Sequence, residues 1–317
     1  MGSVGTPAMW AVFIGFVLVM LALDLGVFHR KSHTVSFKEA AVWSAVWVAL
    51  SLLFSGWIFL DLGTQAGTEY LTGYVIEKSL SIDNIFVFVM IFGALGIPNI
   101  HQHRVLFWGI LTALVLRALM IFAGAAAIER FHWLIYVFGG FLVLTGVKMF
   151  FTRNKTEDTA ESGLMRFVRK VIPSTTRYDG SRFITKEERG GRLRRVATPL
   201  MLALILVEIS DVIFAVDSIP AIFAITTDPF IVFTSNIFAI LGLRSLYFLL
   251  AGMVDRFRYL KIGLAAVLTF VGVKMLIMDF IKIPPVVSLA VILVMLGASI
   301  WFSMVATRRE AAVKPAS

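Results

Sequence analysis

Nine stretches of about twenty apolar residues dominate this chain, at 8–28, 40–60, 71–93, 106–127, 132–151, 198–225, 231–252, 259–280 and 286–306. Each is long enough to cross the hydrocarbon core of a bilayer as a helix. Backbone polar groups in lipid must be bonded within their own segment, so such a chain reads as an all-α polytopic membrane protein. Composition agrees: 59% of the 317 residues are hydrophobic and 15% charged, where soluble domains average about 45–50% and about 25%. An ordinary soluble enzyme, a coiled coil and a disordered chain are excluded. The spans group into 1–151 (spans 1–5), a basic loop at 152–197, 198–306 (spans 6–9) and a tail at 307–317.

The basic residues set the expected orientation. The segments after spans 1, 3, 5, 7 and 9 hold twenty-two of the 29 Lys and Arg, and the opposite side holds Arg130 and Lys282 alone. The positive-inside rule then places the N-terminus outside and the C-terminus in the cytoplasm, which nine crossings satisfy. The net charge of +9 accordingly points to anionic lipid rather than to nucleic acid. The first span lacks the basic flank and cleavage site of a signal peptide. Met1-Gly2-Ser3-Val4-Gly5-Thr6 fits a myristoylation pattern, but on an end expected to face outward. The 152–197 loop, with twelve basic residues against six acids, shows no clear core and reads as a solvated or lipid-surface linker, with a partner-binding role as the alternative.

Two stretches repeat. Glu77, Asp83, Arg117, Glu129 and Gly146-Val-Lys-Met align in order with Asp211, Asp217, Arg244, Asp255 and Gly272-Val-Lys-Met, at offsets of 134, 134, 127, 126 and 126. Each unit holds three spans, 3–5 and 6–8. An odd count reverses the second unit in the membrane, which is the inverted three-helix repeat common in secondary transporters.

Six acids fall inside spans and away from their extreme ends: Asp24, Glu77, Asp83, Glu208, Asp211 and Asp217. Each costs roughly 2.5–3.5 kcal/mol at a helix centre, so each must be paired, protonated or matched to a cation. Arg117 and Arg244, in spans 4 and 7, can neutralise two of them. Lys78 adjoins Glu77 and reads as a further counter-charge, and Lys148 and Lys274 end their spans as snorkelling residues. Structural salt bridging, a proton relay and a cation site all remain open for the other four.

For a cation, the donors at hand are hard oxygens: the carboxylates, with Asn84, Ser81, Ser210 and Ser218 nearby. There is no cysteine, and the five histidines flank the spans. Such donors suit Mg, Ca or Mn rather than Zn or Cu. On an unbroken helix Glu208 and Asp217 face opposite ways. Pro220 could bend or unwind 216–220 and release carbonyl oxygens as further ligands.

These same residues carry a resemblance. Glu77-Lys-Ser-Leu-Ser-Ile-Asp-Asn-Ile-Phe-Val-Phe, the run from Leu206 to Ile225, and Asn236-Ile-Phe-Ala-Ile-Leu-Gly-Leu-Arg resemble the TerC family of bacterial membrane proteins, nearest its Alx branch, which shares Val4-Gly-Thr-Pro. The likeness spans essentially the whole chain. It implies a multi-pass manganese exporter of the bacterial inner membrane, whose motif acids fall on Glu77, Asp83, Glu208, Asp211 and Asp217, with Asp24 in span 1.

The expectation is a transporter, not an enzyme. Mn²⁺ is the transported ion, with Ca²⁺ and Mg²⁺ less favoured. Asp83, Asp211 and Asp217 are the expected ligands, Glu77 and Glu208 ligands or proton acceptors, and Asp24 and Asn84 further contributors. Arg117, Arg244 and Lys78 are surrounding charges, and proton antiport is the candidate driving reaction. A non-transporting membrane scaffold with structural salt bridges is the rival from another class. An intramembrane metalloenzyme finds no histidine pair or nucleophile–base pair within a span.

Overall fold

The structure, a computed structural model, describes residues 3–26, 36–151, 158–189, 192–251 and 259–313. Helices form along every apolar stretch: α1 (Pro7–Gly26), α2 (Phe37–Asp61), α3 (Gly63–Leu95), α4 (Asn99–Arg130), α5 (Leu134–Phe151), α7 (Pro199–Phe223), α8 (Pro229–Leu241), α9 (Leu243–Leu250), α10 (Leu260–Leu276) and α11 (Pro285–Val313). Among the described residues six helical segments are long and apolar enough to cross a membrane: α2, α4, α5, α7, α8 with α9, and Pro285–Ala306 of α11. α3 has the length but carries Glu69, Glu77, Lys78 and Asp83, α10 has 17 residues, and the apolar part of α1 is Pro7–Ala22.

Local chemistry sets the helix ends. Pro7, Pro199, Pro229 and Pro285 each open a helix, where a missing N–H costs nothing. Asp228 caps α8, accepting from the Phe230 and Ile231 amides at 2.9 and 3.1 Å. The same carboxylate accepts the Val4 amide at 2.6 Å, which ties the N-terminus to the start of α8. α3 stops at Gly96, whose φ of 65° only glycine adopts cheaply, and the Ile97 amide closes back on Phe92 O at 2.9 Å.

The exposure pattern is inverted relative to a soluble fold. Leu60 is 91% exposed and Leu144 71%, while Glu77 and Asn236 are at 0% and Arg117 at 1%. Apolar side chains face outward and charge is held inside, the arrangement expected with lipid as the surrounding solvent. α3 and α7 pack together at the centre; α3 also packs on α8, and α7 on α4. α5 and α10 meet most closely, antiparallel, through small residues. A Cβ on Gly139 would lie 3.1 Å from Gly272 O, one on Gly272 2.8 Å from Gly139 O, and one on Gly146 2.7 Å from Ala265 O. Gly272 and Ala265 follow Gly146 and Gly139 by the same offset of 126, so the contact is reciprocal, as across a two-fold axis. Glycines let the two backbones touch.

The 152–197 segment, expected as a solvated or lipid-surface linker, holds secondary structure of its own: α6 (Asp158–Val171) is followed by an antiparallel hairpin of β1 (Ile184–Arg189) and β2 (Arg192–Ala197). Part of its apolar side buries against the membrane helices, with Val168 3% exposed and joined to the main core, while Phe167, Val171, Ile184 and Leu193 stay exposed. The Asp179 carboxyl, accepting the Thr185 hydroxyl at 2.7 Å and facing Arg182, is held below the ordinary carboxylate range. Lys274 does not snorkel; it is 7% exposed and faces Glu69 of α3.

Candidate ion site in the helix bundle

Helical spacing places the site before packing completes it. Glu77, Ser81 and Asn84 stand four and three residues apart, on one face of α3. Asp211 and Ser218 stand seven apart on α7, with Glu208 one turn before Asp211. These two faces meet at the centre of the bundle. Arg117 reaches in from α4 and Asn236 from α8.

Arg117 is the hub. Its Nη2 donates to Asp211 Oδ1 at 2.9 Å and its Nε to Asp211 Oδ2 at 3.3 Å. Nη1 donates to Glu77 Oε1 and to Ser218 Oγ, the latter at 3.2 Å, and reaches Asn236 Oδ1 at 3.5 Å. Asn84 Nδ2 donates to Asp211 Oδ1 at 3.4 Å. Two carboxylates thus share one guanidinium, and the trio carries a formal charge of −1 if both acids are ionised. The fork of the guanidinium suits a carboxylate in two-pronged contact.

Several oxygens are left over. Glu77 Oε2, Ser81 Oγ, Asn84 Oδ1 and both oxygens of Glu208 are buried with no hydrogen-bond partner. Glu208 points along α4 toward Gly109, where a Cβ would lie 3.6 Å from its Oε1. Buried polar atoms are ordinarily satisfied, so this set of hard oxygens beside an anionic trio is suited to receiving a cation or water.

The other residues singled out in the sequence lie apart. α7 runs helical through Pro220 to Phe223 without an unwound turn, so Pro220 deprives only the Val216 carbonyl of its helical donor and the backbone is not opened at 216–220. Asp217 therefore stays on the far side of α7 and faces Thr145 and Lys148 of α5. Asp83 is half-buried on the flank of α3 next to Asn84, and none of the bonds of Arg117 or Asp211 is to it. Arg244, half-buried on α9, is not among the partners of Glu77 or Asp211. Lys78 is not a counter-charge of the acid pair: its ammonium donates to Ala239 O at 3.3 Å, in the last turn of α8. Asp24 is in the last two turns of α1, and its side chain lies outside the described residues. Among the described residues no group of three or more His, Asp or Glu converges on one point. Asn236, beyond the expected ligands, joins the cluster from α8; an asparagine inside an apolar run is itself a costly signal in the sequence.

The chain has relatives. The model of the family described as "Integral membrane protein TerC family" matches residues 62–311. An uncharacterised membrane protein of Myxococcus xanthus is 64% identical over 306 residues, covering 96% of this chain and 95% of that one. A protein of Escherichia coli strain K12 named "Putative membrane-bound redox modulator Alx" is 50% identical over 301 residues, covering 92% of each. An uncharacterised membrane protein of Rickettsia bellii is 43% identical over 296 residues, 93% of this chain and 97% of that one. No solved structure matches.

Proposed function

The chain belongs to the TerC family of integral membrane proteins, and on that premise we propose that it exports Mn²⁺ across a bacterial inner membrane. The carrying observation is the buried pair Glu77 and Asp211, held by one arginine and bordered by unpartnered oxygens. In this reading the guanidinium of Arg117 stands in for the cation. An arriving Mn²⁺ takes Glu77 and Asp211 as ligands, Asn84, Ser81 and Glu208 offer further oxygens from the same two helices, and Arg117 yields. Asp83 and Asp217 join only if the helices rearrange. Oxygen donors suit Mn²⁺, and Ca²⁺ or Mg²⁺ less specifically.

The crossings in this reading are α1 to α5, α7, α8 with α9, α10 and α11, nine in all, with the C-terminus in the cytoplasm. The reciprocal contact of α5 and α10 supports an inverted repeat of α3–α5 against α7–α10, and rocking of one unit on the other would give alternating access. Moving a divalent cation outward against an inside-negative potential costs about 4.6 kcal/mol per 100 mV. Exchange for two protons removes that electrical cost, and carboxylates that gain protons release metal.

A second reading has one observation in its favour: Arg117 is fully buried and bonded to both acids, as a structural ion pair would be. The protein would then be a membrane scaffold. A redox role, suggested by the name of the Escherichia coli relative, has no thiol to work through, since the chain lacks cysteine. Cellular Mn content separates transport from scaffold. Asp211→Asn, accumulating normally in the membrane, raises cell Mn to the level of a deletion if the acid carries the ion. Normal Mn content in that variant refutes the site.

A further inference from the structure

α6 turns Val168 into the core, with Leu164, Met165 and Ile172 packed at its edge. Its apolar stripe extends beyond what the protein covers. Phe167 and Val171, one turn apart on the flank next to Leu164 and Val168, are 62% and 61% exposed. Arg166, Arg169 and Lys170 occupy the remaining exposed surface of this half of the helix. α6 also sits at the level of the helix ends. It packs on α7, and the segment that follows it places the Tyr178 hydroxyl 3.0 Å from both Leu95 O and Gly96 O, where α3 stops. The Arg104 guanidinium, near the start of α4, donates to Ser181 Oγ at 2.7 Å.

A helix at span ends, with bulky apolar side chains uncovered on one flank and cations beside them, matches a peripheral bilayer-binding helix. We propose that α6 lies on the cytoplasmic leaflet, with Phe167 and Val171 entering the boundary between headgroups and acyl chains. Arg166, Arg169 and Lys170 bind the phosphates of anionic phospholipids. The partner is a lipid surface rather than a protein because the charges on the C-terminal half of the helix, Arg166, Arg169 and Lys170, are all basic and the spans bring that surface to the helix. The proposal rests on the membrane-spanning architecture and not on Mn²⁺ transport.

The absence of cysteine makes the test direct. Phe167→Cys in the full chain carries a single environment-sensitive fluorophore. The protein is placed in nanodiscs of phosphatidylcholine alone, or with phosphatidylglycerol, each with a lipid-borne quencher. Quenching is expected to be at least twofold greater with phosphatidylglycerol and to fall as salt is raised. Replacing Arg166, Arg169 and Lys170 together by Gln should return it to the phosphatidylcholine level. A probe that stays unquenched with phosphatidylglycerol overturns the proposal, as does quenching unchanged in the triple variant. Val171→Cys supplies a second position if Phe167→Cys does not fold. Failure here leaves the Mn content of cells untouched as a separate measure of transport.

Discussion

Arg117 grips Asp211 in a two-pronged ion pair inside the bundle, Nη2 to Oδ1 at 2.9 Å and Nε to Oδ2 at 3.3 Å. Both side chains are almost wholly sealed from solvent. The sequence offers Arg117 and Arg244 as neutralisers of two of the intramembrane acids. The structure instead gives Arg117 both related acids, Glu77 and Asp211. The two units are therefore unequal at the place where their sequences match.

Removing the cation from this trio should destabilise more than removing an anion. Arg117→Gln leaves two buried carboxylates facing each other and should cost about 3–5 kcal/mol. Glu77→Gln added to it should recover part of that loss, since one repelling charge is gone. Thermal unfolding in detergent of the single and double variants measures the coupling, expected at about 0.5–3 kcal/mol. Additive losses would mean that Arg117 and Glu77 do not interact.

Glu208 separates folding from transport. Its two oxygens are buried without hydrogen bonds, so Glu208→Gln removes no bond and should leave the melting temperature unchanged or raised. If it lies on the ion path, the same variant loses Mn²⁺ uptake in inside-out proteoliposomes driven by a pH gradient. Full uptake in that assay would take Glu208 off the path.

The α5–α10 contact depends on absent side chains. Gly272→Ala puts a methyl 2.8 Å from both Gly139 O and Val143 N, backbone atoms that cannot step aside cheaply. It should cost about 1–3 kcal/mol. Gly140→Ala, on the facing helix α5 with nothing within 4 Å of the added methyl, should be neutral or slightly stabilising by helix propensity. Equal effects of the two in thermal unfolding would contradict the close approach.

Lys78 should be dispensable to the acid cluster. Its ammonium meets Ala239 O in the last turn of α8, where a cation also complements the helix dipole. Lys78→Met gives up that bond but also removes a buried charge, so the stability change should stay within about 1 kcal/mol. A loss as large as that of Arg117→Gln would mean that Lys78 balances the acids after all.

Much of this was legible in the residues. Periodicity and cost arguments place Glu77, Ser81 and Asn84 on one face of α3, and they set Asp217 opposite Glu208 on any unbroken α7. They also require that each intramembrane acid be paired, protonated or matched to a cation, and they offer Arg117 as one residue able to pair. None of those arguments names the partner. Spacing along a helix gives direction around its own axis and nothing about what stands across the gap.

The sequence by itself determined the helices, their apolar faces and the need to neutralise the intramembrane acids, since these follow from local bonding and from lipid as solvent. Tertiary packing alone decided that Arg117 serves Glu77 and Asp211 together, that Lys78 turns to α8, and that α6 and its hairpin fold. Each of those depends on contacts between residues roughly forty to a hundred and sixty positions apart, or on burial against helices outside the segment. Such contacts exist only once the chain has closed on itself.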